Sequence, residues 1–368
     1  AITARIAQVS EAYGLKVDPG ARVDTLSVGE QQRVEILRLL YRGAQVLILD
    51  EPTAVLTPQE AEGLFATLRA MAKSGKGVII ITHKLHEVMA VADRCTVLRR
   101  GKVIGSRATA ATTPAELTEM MVGRTVSLER QKEAQAPGEV ALTVDGLWVK
   151  GERGSAAVRG ANLELRQGEI LGIAGVAGNG QRELAEAIAG LRRIEQGSVT
   201  HDGRLAYIPE DRLGTGLVGN LDLAENAYLR VYKSAKMNGR WAFVQALMER
   251  FDVRAASAKT PIRLLSGGNQ QKLLVGRELL TDPSVIIAAQ PVRGLDVAAT
   301  EAVHNLLLQA RTERKAVLLI SEDLDELIAL SDRILVLCEG QVMGIVEARP
   351  ELVPQIGLLM AGEQVATA

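Results

Sequence analysis

Leu265-Ser266-Gly267-Gly268-Asn269-Gln270-Gln271-Lys272 is the second appearance of a pattern first met as Leu26-Ser27-Val28-Gly29-Glu30-Gln31-Gln32-Arg33. The two stretches lie 239 residues apart. The same interval links Asp50 to Ala289, Glu51 to Gln290, His83 to Glu322, Asp93 to Asp332 and Gly101 to Gly340. A constant interval over that span means a tandem duplication with no insertion between the compared positions. The copies differ where chemistry would sit. A short apolar strand ends in Asp50-Glu51-Pro52 in the first and in Ala289-Gln290-Pro291 in the second. One half kept acidic groups that the other lost.

Composition agrees with two lobes. A chain of 368 residues with 47% hydrophobic content has material for more than one sizeable core. A formal net charge of −1 gives no electrostatic reason to expect nucleic acid as a partner. The 2 cysteines, Cys95 and Cys338, are again 239 apart, too few and too distant for a disulfide framework or a metal site. They read as buried, reduced strand residues of a cytosolic protein. No apolar run is long enough to span a bilayer and no signal peptide opens the chain, so membrane association is expected only through a partner.

Periodicity supplies the elements. Ile2, Ile6, Val9 and Tyr13 repeat at helical spacing before a Pro19-Gly20 break. A helix follows from Ser27 to about Leu40, with Ser27 as N-cap and Glu30 placed for a capping box. Val46-Leu47-Ile48-Leu49 reads as a continuous apolar strand, too short and too uniformly apolar for a sheet edge, although a first domain incomplete upstream is expected to expose apolar sheet edge and core. Helix 58–73, strand 77–81, helix 84–92 and strand 95–99 complete an alternation expected of a mostly parallel, doubly covered sheet. Residues 127–139 turn charged or small and end in Pro137-Gly138, the composition of a linker. The expected division is a first domain over 1–126, with 1–40 in a helical subdomain and 44–126 in the core, and a second domain over 140–368. In that second domain, strands 140–149, 158–166 and 170–174 precede a helix over 181–190, and 221–260 read as helical.

Strand 170–174 runs directly into Gly175-Val176-Ala177-Gly178-Asn179-Gly180 and then a helix. Such a loop turns backbone N–H groups toward a phosphate, and the helix N-terminus adds a positive field. The phosphate-loop pattern G-x-x-x-x-G-K-[ST] is half met, because Gln181 and Arg182 stand where Lys and Ser/Thr belong. A cation on the β/γ-phosphates and a Mg²⁺ ligand are therefore missing. By itself such a loop is only a tight strand–helix turn; the strand before it and the signature after it make the phosphate reading the stronger one. Asp50 and Glu51 end a strand at the sheet edge where such folds bind ligands. There Asp50 would hold Mg²⁺ and Glu51 would polarise an attacking water, with His83 at the end of the next strand near the γ-phosphate. Ser27 with Gly29, and Ser266 with Gly267 and Gly268, sit at helix N-termini able to grip a phosphate presented by another lobe.

On these motifs the chain resembles the duplicated ABC-type ATPases that power bacterial uptake of simple sugars or nucleosides, and the Ala289-Gln290-Pro291 form resembles the nucleoside branch. The resemblance implies an α/β P-loop NTPase fold with two tandem nucleotide-binding domains, each with a helical subdomain. It implies ATP and Mg²⁺ as cofactors, two transmembrane permease subunits as partners and, indirectly, an extracytoplasmic substrate-binding protein. The place implied is the cytoplasmic face of the plasma membrane. In this family each composite site pairs one half's phosphate loop and carboxylates with the other half's signature. Asp50, Glu51 and His83 would then work with Ser266, Gly267, Gly268, Gln270 and Asp296. The degenerate loop, Gly175, Gly178, Asn179, Gly180, Gln181 and Arg182, would face Ser27 and Gly29. Thr57 departs from the usual Asp of the first D-loop. Tyr207 to Arg212 falls where the family's permease-sensing Q-loop region lies.

Carrying the 239-residue interval upstream puts the first phosphate loop before residue 1. The first domain is thus expected to be incomplete by roughly a hundred residues, with its hydrolytic site unfinished in this chain. Two other classes fit parts of the pattern. A ribosome-acting ATPase of the same superfamily would carry a long charged helical linker, unlike the short 127–139. A non-catalytic nucleotide-binding module would bind nucleotide without turnover.

Overall fold

The computed structural model describes residues 2–15, 17–23, 26, 28–53, 56, 58–82, 84–99, 101–122, 135–152, 154–176, 178–232, 240–360 and 362–363. Ser27, Thr57, His83 and most of the 127–139 stretch lie outside the described residues. The chain forms two compact units, Ala1–Leu128 and Glu129–Ala368.

Unit 1 contains α1 (Ile2–Ala12), α2 (Val28–Tyr41), β1 (Val46–Asp50), α3 (Pro58–Lys73), β2 (Gly77–Ile81), α4 (Leu85–Val91), β3 (Arg94–Arg99), β4 (Lys102–Ala108) and α5 (Pro114–Val122). Leu64, Leu68 and Met71 share one face of α3 and pack with Leu47 and Leu49 of β1 and with Ile36, Leu37 and Leu40 of α2. Leu68 and Met71 are 1% and 0% exposed. Burying a side chain of that size contributes about 1.5–3 kcal/mol, so this small core is what holds the unit's helices to its strands. Strands β1 and β2 pair in parallel, Val46 opposite Gly77 through Asp50 opposite Ile81.

Among the described residues 46–49 does not lie inside the doubly covered sheet expected of it. Val46, Ile48, Ile79 and Ile81 are 60%, 63%, 50% and 51% exposed and share one face. Among the described residues β1 and β2 form a two-stranded sheet covered on the other side only.

Unit 2 carries β5 (Val140–Lys150), β6 (Ala156–Arg166), β7 (Ile170–Ala174), α6 (Gln181–Ile188), β8 (Ile194–His201), β9 (Leu205–Ile208), α7 (Leu223–Tyr228), α8 (Arg240–Arg250) and α9 (Gly267–Leu279). It continues through β10 (Val285–Ala289), α10 (Val297–Thr312), β11 (Ala316–Ile320), α11 (Leu324–Leu330), β12 (Arg333–Cys338), β13 (Gln341–Glu347) and α12 (Val353–Met360). Six strands lie in the order β13-β12-β7-β11-β10-β9, all parallel except the β12–β13 hairpin. A second sheet, β6-β5-β8, is antiparallel. One core lies between the large sheet, the antiparallel sheet and α6; the other lies beneath α7–α12. Here Val285, Ile287 and Leu318, the counterparts of Val46, Ile48 and Ile79, are 0% exposed. The uniform burial of β10 and β11 comes from neighbours on both edges and a layer on each face, which is why their sequences need no polar alternation.

The duplication is visible in geometry as well as in letters. The β3–β4 hairpin shifts register between Val97 and Leu98, and the β12–β13 hairpin shifts between Val336 and Leu337, the equivalent step. Glu51 and Gln290, both ending their strands, are non-glycine residues with φ of 43° and 48°. Residues 221–260 are not one helical stretch: α7 and α8 are separate, and 251–264 is largely irregular. Cys95 and Cys338 are free but half-buried rather than buried. Among the described residues no helix is long and apolar enough to cross a membrane.

Candidate functional site

In unit 2 the glycine loop leaves the carboxyl end of β7 and feeds α6. Gly178 and Gly180 adopt φ of 87° and 99°, conformations that L-residues with a Cβ rarely hold. At Gly180 a Cβ would also stand 2.1 Å from the Ala157 carbonyl oxygen, so only glycine fits between α6 and β6. The loop is fastened below by the Gly340 N–H, which donates to the Asn179 carbonyl at 3.0 Å.

Two side chains at the start of α6 are already engaged. Gln181 is buried, and its Nε2 donates to the Val176 carbonyl at 3.0 Å, laying the amide across the loop. Arg182 pairs with Glu186 at 2.8 Å and with Glu152 at 3.3 Å. The Glu186 hydrogen bond is the main reason its guanidinium is held above the ordinary arginine range. A cavity of about 360 Å³ opens beside this loop, lined by Glu183, Glu186, Glu210, Asp211 and Glu322 against the two cations Arg182 and Arg293. Ala289, Gln290, Tyr207 and Thr215 also line it. Burial pushes the Tyr207 phenol up to about 12, so it stays protonated. Five carboxylates against two guanidiniums is a poor environment for a triphosphate, and the loop presents neither a hydroxyl nor a carboxylate where Mg²⁺ would need oxygen. Within loop 175–182 itself the donor set does not fit a Mg²⁺ ion, because Gln181 and Arg182 stand where a hydroxyl would bind it.

The signature of unit 2 lies at the start of α9. Ser266 is the N-cap: its Oγ accepts from Asn269 N and, at 3.0 Å, from Asn269 Nδ2. Gly267 and Gly268, both half-buried, open the first turn, and Gly268 backs onto Ala299 of α10, where a Cβ would come within 3.0 Å. Gln270 points the other way. It is 8% exposed, and its Nε2 is spent on the carbonyls of Ile262 and Leu265. Asp296 caps α10 by accepting from Ala299 N at 2.8 Å.

In unit 1, Asp50 and Glu51 end β1 with exposed side chains. The Glu51 N–H donates to the Ile81 carbonyl at 2.8 Å, which ties this turn to the end of β2. Its counterpart Gln290 makes the same 2.8 Å bond to Ile320. Backbone geometry is therefore preserved in both copies while the carboxylates survive in one. An exposed carboxylate such as Asp50 suits Mg²⁺, which takes one or two protein oxygens and keeps water and phosphate for the rest. Gly29 lies in the first turn of α2.

Sequence reasoning missed several groups around these sites. Arg212, at the end of the Tyr207–Arg212 stretch, donates from Nη1 to the Gly267 carbonyl at 3.3 Å. Desolvation holds its guanidinium below the ordinary arginine range. Glu210 of the same stretch pairs with Arg293 in the turn before α10. Glu87 and Glu326, 239 residues apart, are both buried carboxylates bonded to hydroxyls. The interval itself was the available signal, since a buried Glu repeated in two copies asks for partners. A further cavity of about 250 Å³ beside Phe251 and Leu280 shares no lining residue with the one beside the loop.

The sequence profile of the ABC transporter family matches residues 1–54 and 158–293. The nucleoside import ATP-binding protein NupA of Lactococcus lactis is 45% identical over 381 residues, spanning 97% of this chain and 75% of that protein. The glucose import ATP-binding protein TsgD13 of Haloferax volcanii is 45% identical over 390 residues, 99% of this chain and 70% of that one. The guanosine import ATP-binding protein NupO of Bacillus subtilis is 44% identical over 379 residues, 97% and 74%. Among solved structures, the dimeric ATP-binding cassette MJ0796 with ADP and Pi aligns at a TM-score of 0.51 and 21% identity, over 56% of this chain and 99% of its own. That likeness bears on the fold.

Proposed function

Because this chain belongs to the ABC transporter family, as a duplicated ATP-binding protein related to the nucleoside and sugar import ATPases, we propose that it is the energy-coupling subunit of a nucleoside importer. It would act at the cytoplasmic face of the membrane on two permease subunits, served by an extracytoplasmic binding protein. One nucleotide site hydrolyses ATP and one does not. The observation that carries this asymmetry is the matched strand-end turn. Glu51 and Gln290 share a left-handed backbone and the same bond to the next strand, yet only the first offers a carboxylate.

In this reading the Glu51 carboxylate orients a water and takes its proton as the γ-phosphoryl group transfers. Asp50 would hold Mg²⁺, directly or through water, where the ion would supply charge neutralisation on the phosphates. Ser266, which is exposed, meets the phosphates with Gly267 and Gly268 from the signature side, where a helix N-terminus favours an anion. Gln270 supports this turn from beneath rather than touching nucleotide, since its amide is committed to two carbonyls. The loop 175–182 binds nucleotide weakly, without Mg²⁺ chemistry. The division into 1–126, 127–139 and 140–368 is proposed as the functional one.

Nucleoside uptake is favoured by Ala289-Gln290-Pro291 and by two relatives named for nucleosides. Sugar uptake is the second reading, because a glucose importer's ATPase is equally identical. The test is the full-length gene product with its permeases in vesicles, measuring ATP turnover and uptake of labelled guanosine and ribose. Glu51→Gln is expected to abolish most turnover and uptake while Gln290→Ala changes either little. Comparable losses from both substitutions would end the one-active-site reading, and ribose uptake without guanosine uptake would replace the substrate class.

A further inference from the structure

Glu87 lies in α4, just after the switch position, and is 1% exposed. A carboxylate so buried must be compensated, and both its oxygens are. Oε2 accepts from the Thr82 hydroxyl at 2.7 Å, and Oε1 accepts from the Thr53 hydroxyl. The Lys84 ammonium lies 3.8 Å from Oε1. Thr53 is two residues after Glu51, in the turn that ends β1, and is itself 4% exposed. Thr82 immediately follows β2, and its Oγ1 also accepts from the Lys84 N–H at 3.1 Å. One carboxylate thus joins the turn bearing Glu51 to Thr82, at the carboxyl end of the two-stranded sheet.

The second copy shows what happens to this link when the chemistry goes. Glu326 is likewise buried, and Ser321, the counterpart of Thr82, donates to its Oε2 at 2.5 Å. Thr53, however, is replaced by Val292, which has no hydroxyl. Glu326 Oε1 turns instead to His304 Nε2 of α10 at 2.6 Å, a position that is Phe65 in the first copy. The buried acid and its switch-side bond persist in both halves, so those serve the fold. The bond to the strand-end turn is present in the copy with Glu51 and His83 and absent in the copy with Gln290 and Glu322.

From this contrast we propose that Glu87 is a positioning residue of the hydrolytic half. Through Thr53 and Thr82 it holds the Glu51 turn and the end of β2 at one fixed separation. The proposal rests on the assignment of Glu51 as the water-orienting group. Glu51 sits at φ 43°, as Gln290 does at 48° without a counterpart of the Thr53 hydroxyl, so the link acts on the placement of the turn rather than on its φ. The Ile81 carbonyl supplies one restraint and the Thr53–Glu87 bond a second on the other side of Pro52. A water must be aligned between carboxylate and phosphorus, where displacement by about 1 Å can cost on the order of a hundredfold in rate.

Thr53→Val is the decisive variant, because it is isosteric and installs the residue that the second copy already accommodates at Val292. In the full-length protein with its permeases, kcat for ATP is expected to fall about tenfold, as for loss of one bond to a charged group, with KM unchanged. Thr53→Ser, which retains the hydroxyl, should recover most of that loss. Glu87→Gln should give a similar fall, and the double variant Thr53→Val with Glu87→Gln should be no worse than either alone, because both cut one link. A kcat equal to the parent's in Thr53→Val, a rise in KM at constant kcat, or a Thr53→Ser variant as slow as Thr53→Val would each overturn the proposal. Glu51→Gln run alongside separates the two claims. If it is inactive while Thr53→Val is normal, the link falls and the catalytic assignment stands; if it turns over normally, the assignment falls and takes the link with it.

Discussion

Gln181→Lys in unit 2 asks whether the missing phosphate cation is what weakens the second nucleotide loop. Position 181 is the first residue of α6, and its amide now donates to Val176 at 3.0 Å. A lysine there gives up that neutral bond, worth about 1 kcal/mol, and gains a charge-assisted contact to a phosphate, worth about 1.5–3 kcal/mol. The balance of about 0.5–2 kcal/mol corresponds to roughly 2- to 30-fold tighter ATP binding. Five carboxylates around the cavity would attract the new ammonium in the absence of ligand, which places the expectation toward the lower end. Binding should be equally strong with Mg²⁺ or EDTA, since Arg182 supplies no oxygen. Turnover should not appear, because Ala289 and Gln290 are unchanged. Isothermal titration of the chain with ATP, with and without Mg²⁺, reads all of this. Unchanged or weaker affinity would refute the reasoning that the Lys-to-Gln difference limits this loop, and new hydrolysis would refute the reading of Gln290 as catalytically silent.

Two further substitutions probe the geometry. Ser266→Arg in the full-length protein should cripple steady-state ATPase at saturating ATP by putting bulk at the exposed N-cap of α9, while Ser27→Arg should be milder; the reverse order would exchange the roles of the two signatures. Gly180→Ala should destabilise unit 2 by at least about 3 kcal/mol in chemical denaturation, because it combines a left-handed backbone with a clash into a backbone carbonyl. Gly178→Ala, with φ 87° but no atom within 4 Å of its would-be Cβ, should cost only about 1–2 kcal/mol, and equal costs would count against the packing described.

A good part of this protein could be read from one dimension. Hydrophobic periodicity located α3, β2, β7 and α6 to within a residue or two, because the side-chain spacing of a helix or strand is a local property. The glycine loop 175–180 was legible because a tight strand-to-helix turn restricts which residues can occupy it. The interval of 239 residues carried the duplication and exposed the lost carboxylates without any coordinates. What covers a strand and what satisfies a polar side chain were not legible in this way, since both depend on segments remote in sequence. Val46-Leu47-Ile48-Leu49 and Val285-Ile286-Ile287-Ala288 are equally apolar, yet among the described residues only the second lies between strands and under a second sheet. Gln270 looked like a ligand contact until Ile262 and Leu265 were seen to take its amide. The Glu87 link needed three segments brought together: Thr53 after β1, Thr82 after β2, and α4 itself. Sequence alone determined which residues can do chemistry and that one copy lacks them; tertiary structure decided which of those side chains are free to face a ligand, because burial and hydrogen bonding are settled only where distant parts of the chain meet.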